Sequence, residues 1–361
     1  MNATANFTNA SLSCFRVKCQ FTVGERVAII FFFTTIFLAS LVGNCILFLA
    51  IIRNKRLRRS STNFSILNLS LANILITIFC IPVFTIDTFI AERWVFGVIG
   101  CKLVIFLQNT SINAAILTLL ALSVEKFVAV YFPFYVRSQR TKVRYLVVGA
   151  WIVGIIHSSV YLSYKTVKTF QGIPLCVENW PSHSTRKIFV VVQAIVLRFV
   201  PLTFMIVLHA VTIKRIKERL QYRRKARKND EGSFRESDMM QVSSHGLKIR
   251  KKAVTMLVII VATAAVTLFP YYIYVCWRML ANPKITDFFA NNVAVIVTTW
   301  LVYFNSVCHP IIFGMMSTQY RKAAKTLSSR KSQTHSRTLS NTKKQIKQEP
   351  MLMTAQGSGS G

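Results

Sequence analysis

Seven long apolar stretches run through this chain of 361 residues, and they leave it few ways to fold. A helix needs roughly 20 apolar residues to cross the hydrocarbon core of a bilayer. Segments at 27–52, 64–86, 103–124, 146–162, 188–213, 254–277 and 293–316 approach or exceed that length. Inside lipid no water can satisfy backbone amides, so segments of this kind must pair their own N–H and C=O groups as helices. The sequence predicts an all-α membrane protein, a seven-transmembrane helix bundle over 27–316. A polar N-terminal segment, 1–26, precedes it. A short amphipathic eighth helix over 317–328 follows, with Tyr320, Ala324 and Leu327 on one side and Arg321, Lys322 and Lys325 elsewhere. Residues 329–361 are expected to form a disordered tail.

A net charge of +33 would point a soluble chain toward nucleic acid, but its distribution here points to a membrane. With the loops assigned alternately to two sides, one side carries 32 Lys or Arg against six acids, and the other 11 against five. The positive-inside rule makes the first side cytoplasmic and places the N-terminus outside, in a multi-pass protein of the plasma membrane. Basic runs such as Lys55-Arg56-Leu57-Arg58-Arg59 suit anionic lipids of the inner leaflet, and no nucleic-acid partner is expected. Asn2, Asn6 and Asn9 each open an N-glycosylation sequon on the outer side. Asn68 and Asn109 also open sequons, but within spans, where they stay unmodified. The first 26 residues hold no apolar core, so the first span is expected to insert as its own uncleaved anchor.

Cys101 opens the third span and Cys176 lies in the second outer loop, both on the oxidising side. A bridge between them would tie that loop to the top of the third helix. Cys14 and Cys19 pair with each other, pair with Cys276, or stay free. The third inner loop, 214–252, is highly charged, and helical extensions at both ends with a disordered middle near residues 229–233 are expected.

From Gly43 to Lys325 the chain resembles the rhodopsin-like family of G-protein-coupled receptors. The marks are Gly43-Asn44, then Asn68-Leu69-Ser70-Leu71-Ala72 and Pro82, then Trp94-Val95-Phe96-Gly97 before Cys101. Glu125-Lys126-Phe127, Trp151, Cys176, Pro201, Pro270 and His309-Pro310-Ile311-Ile312-Phe313 follow in the family's order. Each is weak alone, and together they are specific. Within the family the chain is similar to peptide receptors of the orexin and RFamide neuropeptide type. Cys176-Val177-Glu178-Asn179-Trp180-Pro181 resembles that group's second outer loop, and Gln108 stands where amine receptors carry an Asp. No Lys occurs in the seventh span, which excludes an opsin. The resemblance implies an extracellular peptide ligand, a heterotrimeric G protein, and receptor kinases and arrestin acting on the hydroxyl-rich tail. It implies no enzyme activity, cofactor or metal.

Polar residues in spans are the candidate ligand contacts. Arg198 is read as a cation facing the cavity, the bland alternative being a structural hydrogen bond. Gln108 and Gln193 offer amides. Tyr271 and Tyr303 offer hydroxyls, against the alternative of an interfacial aromatic belt; Tyr272 lies beside them. Glu178, with Asp87, Glu92 and Asp287, supplies the outer negative charge, yet the outer face nets +6, which would equally attract an acidic peptide.

The switch positions depart from the family. Asn73 stands for its Asp and Ala115 for its Ser, which predicts no effective sodium site. Glu125-Lys126-Phe127 replaces Asp-Arg-Tyr, and Lys lacks the guanidinium fork. Leu268 stands for a Trp two residues before Pro270, and His309, Pro310 and Phe313 hold the family's N-P-x-x-Y positions without its phenol. The sixth helix begins with basic residues near Arg250, so no restraining salt bridge to Lys126 is expected. Glu125, Lys126, Leu268, Pro270, His309, Pro310 and Phe313 are therefore the candidate coupling elements. The favoured reading is a rebuilt switch that still activates a G protein. The other is a ligand-binding receptor with weak coupling, a scavenger or an arrestin-biased receptor. A transporter would show internal repeats, and none is seen.

Overall fold

In the computed structural model the described residues are 21–132, 136–170, 172–229, 234–281, 288–323 and 326. Seven helices among them are long and apolar enough to cross a membrane. These are α1 (Val23–Arg53), α2 (Ser61–Ile90), α3 (Gly97–Tyr131), α4 (Val136–Tyr164), α5 (His183–Ala194, continuing through Ile195–Phe199 into Val200–Asn229), α6 (Phe234–Ala281) and α7 (Phe288–Met316). Residues 318–323 form α8. The protein is a seven-helix multi-pass membrane bundle. Asn2, Asn6, Asn9, Cys14, Cys19, Asp287 and the tail hydroxyls from Ser328 onward lie outside the described residues.

Helix α1 shows how the bundle sorts its faces. Phe33, Ile36, Ser40, Asn44, Leu47 and Ile51 recur every three or four residues and are buried, whereas Phe31, Phe32, Leu38, Val42 and Ile46 are exposed and apolar. A helix apolar all round, buried along one stripe, is one whose other face meets lipid. Close approach between helices is made by small residues. A Cβ on Gly43 would stand 2.7 Å from Pro310 Cγ, and one on Gly154 would stand 2.9 Å from the Thr110 carbonyl oxygen.

The helices outrun the apolar windows that announce them. Thr22 and Glu25 form a reciprocal capping box that starts α1 at Val23, inside the segment expected to be a polar N-terminus. Asp87 falls in the last turn of α2, so Glu125 is not the sole acid on a spanning helix. Helices α5 and α6 reach Asn229 and resume at Phe234; of the disordered middle expected between them, residues 230–233 lie outside the described residues.

Proline shapes three helices in ways the bundle compensates. Proline has no N–H, so it frees the carbonyl four residues earlier. Pro82 follows a π turn at Ile76–Cys80, and Pro201 follows one at Ile195–Phe199. Pro201 frees the Leu197 carbonyl, and Arg198 Nη1 donates to it at 3.0 Å. Pro310 frees the Ser306 carbonyl, and Asn44 Nδ2 donates to it from α1 at 3.0 Å.

Between α4 and α5 the chain forms an antiparallel hairpin, β1 (Lys165–Phe170) and β2 (Ile173–Glu178), with Val167 opposite Cys176. Gly172 supplies the left-handed turn residue, φ 79°. The Cys101–Cys176 disulfide ties the hairpin to the start of α3. Trp94 N–H donates to the Pro174 carbonyl at 2.8 Å, and Asn179 N–H to the Tyr164 carbonyl at 2.7 Å. At the opposite end α8 is pinned by Tyr320, whose hydroxyl reaches Asn63 Oδ1 at 2.5 Å and whose ring packs edge-on against Phe313. Burial raises the Tyr320 hydroxyl above its usual pKa.

Candidate functional site

The hairpin end of the bundle holds a cavity of about 420 Å³. Its lining follows helical periodicity on four helices. Ile105, Gln108, Asn109 and Ile112 come from α3; Arg186, Val190 and Gln193 from α5; Tyr271, Tyr272, Val275, Arg278 and Met279 from α6; Val295, Thr299, Val302 and Tyr303 from α7. Spacings of three, four and seven place each set on one stripe. Phe84, Tyr161, Lys165, Glu178 and Tyr274 complete the wall. A concave, aromatic cavity with a few converging polar groups is the usual form of a small-ligand or peptide-anchor site.

Five of the six expected ligand contacts lie on this wall: Gln108, Gln193, Tyr271, Tyr303 and Glu178. Several are less free than the sequence implies, and Gln108 and Tyr303 interact with each other. Gln193 accepts from the Tyr161 hydroxyl at 2.7 Å and donates to Asn109 Oδ1 at 3.3 Å, so both ends of its amide are engaged, linking α4, α5 and α3. Glu178 pairs with Arg186 at 2.6 Å and Lys165 at 3.3 Å, and accepts from Trp180 Nε1 at 3.0 Å. Burial pushes its carboxyl up, but Lys165, Arg186 and Trp180 outweigh that and hold it below the ordinary value. Glu178 is thus already paired with cations of the protein. Lys165, Glu178 and Arg186 also face a second pocket of about 470 Å³, bounded by Trp180, Ser182 and His183, so the ion cluster stands between the two spaces.

The sixth residue, Arg198, does not line the cavity. It is fully buried at the π turn of α5. Its Nη1 donates to Asn113 Oδ1 and to Leu197 O, and its guanidinium carbon lies 5.0 Å from the centre of the Tyr272 ring. Asn113 in turn bonds His157 Nδ1 at 3.1 Å. The proline-freed carbonyl draws the side chain toward the helix wall and away from the open space.

Asn109, Tyr161, Lys165, Arg186 and Arg278 line the cavity without having been singled out. Helical spacing from Gln108 and Tyr271 reaches Ile112 and Arg278. The loop cations Lys165 and Arg186 could be found only once the hairpin brought them beside Glu178.

Below this cavity a polar network joins α1, α2 and α7. Asn73 Nδ2 donates to Asn44 Oδ1 at 3.1 Å and bonds His309 Nδ1 at 2.9 Å. Ser40 lies within hydrogen-bond distance of both Thr77 (2.6 Å) and Ser306 (2.8 Å). A void of about 20 Å³, room for about one water molecule, is lined by Asn73, Ala115, Leu268, Asn305, Ser306 and His309 among others, and no carboxylate borders it. At the far end of α3, Glu125 accepts from Ser61 at 2.9 Å and Thr62 at 3.1 Å, while Lys126 Nζ bonds the Thr62 hydroxyl and lies 3.3 Å from Glu125. Arg250 donates to the Ala129 carbonyl at 2.9 Å, and Lys126 makes no ion pair to α6 among the described residues.

Seven spanning helices, a hairpin disulfide-bonded to α3 and a cavity closed by α3, α5, α6 and α7 define a membrane receptor. Residues 43–313 match the model of the 7 transmembrane receptor (rhodopsin family), and the chain belongs to that family. It is a receptor and not an enzyme. The chain is similar to Galanin receptor 2a of Danio rerio, at 27% identity over 303 residues, covering 83% of this chain and 78% of the relative. It is 26% identical over 313 residues to the QRFP-like peptide receptor of Branchiostoma floridae, covering 84% and 78%. The Pyroglutamylated RF-amide peptide receptor of Mus musculus is 28% identical over 243 residues, covering 64% and 54%.

Proposed function

We propose that this protein is a plasma-membrane receptor for an extracellular peptide, signalling to a heterotrimeric G protein. The observation that carries this reading is the cavity at the hairpin end, built from tyrosines, amides and charges of α3, α5, α6, α7 and the hairpin. Its relatives named for galanin, QRFP and RF-amide peptides support a peptide as occupant. The excess of Lys and Arg on the loops at the opposite end supports an outward-facing hairpin and N-terminus. The sites assigned to the ligand are Gln108, Tyr271, Tyr303 and Glu178, with Gln193 acting through its hydrogen-bond partners and Arg198 lying beside Tyr272 of the cavity wall. Glu125, Lys126, Leu268, Pro270, His309, Pro310 and Phe313 are assigned to switching. Asn2, Asn6 and Asn9 carry glycans, the phosphorylated tail recruits arrestin, and the basic inner face and α8 contact anionic lipid.

A ligand shifts a receptor only by binding one state better than the other. The moving element in this reading is the inner half of α6 below Pro270. Receptor reconstituted in bilayers with a G protein is the test: peptide-dependent nucleotide exchange is expected. Peptide-induced arrestin recruitment with no exchange would replace this reading by the arrestin-biased one.

A further inference from the structure

Arg198 is a cation buried in the middle of the bundle without a counter-charge. It enters no ion pair among the described residues. Its Nη1 serves Asn113 and Leu197, but Nε and Nη2 are buried without a hydrogen-bond partner among the described residues. Those two N–H groups share one edge of the guanidinium plane. That edge is the fork that receives a carboxylate through two parallel hydrogen bonds. A buried charge left unpaired is unfavourable, so an incoming anion meets a site already desolvated and already oriented.

The route to it is Tyr272. Its ring lies 5.0 Å from the Arg198 guanidinium carbon and also lines the main cavity, so this side chain touches both cation and cavity. The cavity itself favours anions. Lys165, Arg186 and Arg278 line it against Glu178 alone, and Glu178 is held by the first two. Arg278 meets the Tyr274 hydroxyl at 3.5 Å and lies 5.9 Å from the centre of that ring, and it has no carboxylate partner among the described residues.

Resting on the peptide-receptor reading above, we propose that the inserted end of the ligand carries a carboxylate, and that Arg198 is a latent anion site that receives it when Tyr272 turns aside. Arg278 and the Lys165–Arg186 pair attract the acidic end. The carboxylate then takes the Nε/Nη2 edge, while Nη1 keeps its bonds to α3 and to the kink of α5. The shared chemistry is a carboxylate, from either a free C-terminus or an Asp or Glu side chain.

Purified receptor in lipid nanodiscs tests this by affinity selection from synthetic heptapeptides in four equal arms. These carry a free C-terminal carboxylate, an amidated C-terminus with an internal Asp or Glu, an amidated neutral sequence, or an amidated sequence with Arg or Lys. Retention should favour the first two arms, and the better of them identifies the carboxylate. R198K keeps the charge but lacks the fork, and should weaken the retained peptides about tenfold; R198Q should weaken them more. If R198Q does not fold, R198K and the order of arms on the unaltered receptor still decide. Preferential retention of basic or neutral amides overturns the anion site and leaves the peptide-receptor reading standing. Acidic peptides retained equally by R198K overturn the role of Arg198. Retention of no peptide in any arm overturns the peptide reading and this inference with it.

Discussion

Replacing Asn73 with Leu, similar in size but without an amide, isolates the polar network at mid-bundle. Asn44 fixes the orientation of every group in it. Its Nδ2 donates to two backbone carbonyls, Ser40 and Ser306, so its Oδ1 must accept. Asn73 therefore presents Nδ2 to Asn44, and the second proton of that amide goes to His309 Nδ1, which must accept. The His309 ring is then neutral, with its proton on Nε2, which has no hydrogen-bond partner among the described residues. In Asn73→Leu both Asn44 Oδ1 and His309 Nδ1 lose their donor inside a buried region. Each orphaned buried group costs about 1–3 kcal/mol, so the variant should lose about 2–6 kcal/mol. The adjoining void of about 20 Å³ holds about one water, which can rescue one acceptor but not both. The lower half of that range is therefore expected. Adding His309→Phe removes one orphan, so the double variant should recover about 1–3 kcal/mol relative to additivity. Melting of the four purified proteins in one detergent, with ligand absent, completes the cycle. A single variant within about 0.5 kcal/mol of wild type, the ordinary range for surface changes, or a coupling energy of zero, would refute the hydrogen-bond assignment.

Three further outcomes follow from the same structure. Replacing sodium by N-methylglucamine should leave ligand affinity unchanged, because only neutral groups border the void beside Asn73; sodium dependence abolished by altering Asn73 would contradict this. Glu178 is held below its usual value of 4.5, so its pairing with Lys165 and Arg186 stabilises the hairpin fully above that pH. That contribution is lost as pH falls through the lowered folded value. Protection of β2 amides, relative to their intrinsic exchange rate at each pH, should therefore fall in acid for wild type, while Glu178→Gln should be less protected at neutral pH and lose this acid response. Gly43→Ala puts a Cβ at 2.7 Å from the Pro310 ring, whereas one on Gly149 meets nothing within 4 Å. Melting should show Gly43→Ala destabilised by about 1–3 kcal/mol and Gly149→Ala neutral or stabilised; equal effects would mean that α1 and α7 can separate freely.

The spans were legible because hydrophobicity in lipid is a property of each segment alone. Helix ends were less so: Thr22 and Glu25 form a capping box that apolar windows ignore, and Asp87 lies beyond the window that announced α2. Gln108, Gln193, Tyr271 and Tyr303 were found because a polar side chain in a span stands out, and helical spacing keeps it on one face. Spacing could not show what each polar group is already bonded to. Gln193 reads as a free amide until Tyr161 and Asn109 are placed beside it, 32 and 84 residues away in sequence. Glu178 reads as a lone acid until Lys165 and Arg186 fold against it.

The two kink prolines explain where the buried polarity sits. Pro310 and Pro201 each leave one carbonyl without its helical donor, and in lipid such a group must be answered by protein. At Pro310 the answer is Asn44, a neutral amide from another helix, and the surrounding groups largely satisfy one another. At Pro201 the answer is Arg198, from the same turn, and it brings a full charge where one neutral donor would suffice. Asn at that position could cap a carbonyl without carrying an unpaired charge into the membrane. The surplus at Arg198 is a charge and two donors without a hydrogen-bond partner among the described residues, beyond the one donor that answers the Leu197 carbonyl. It lies beside a tyrosine of a cavity whose other cations already draw anions inward, so the same side chain that repairs the backbone is the one positioned to sense an acidic ligand.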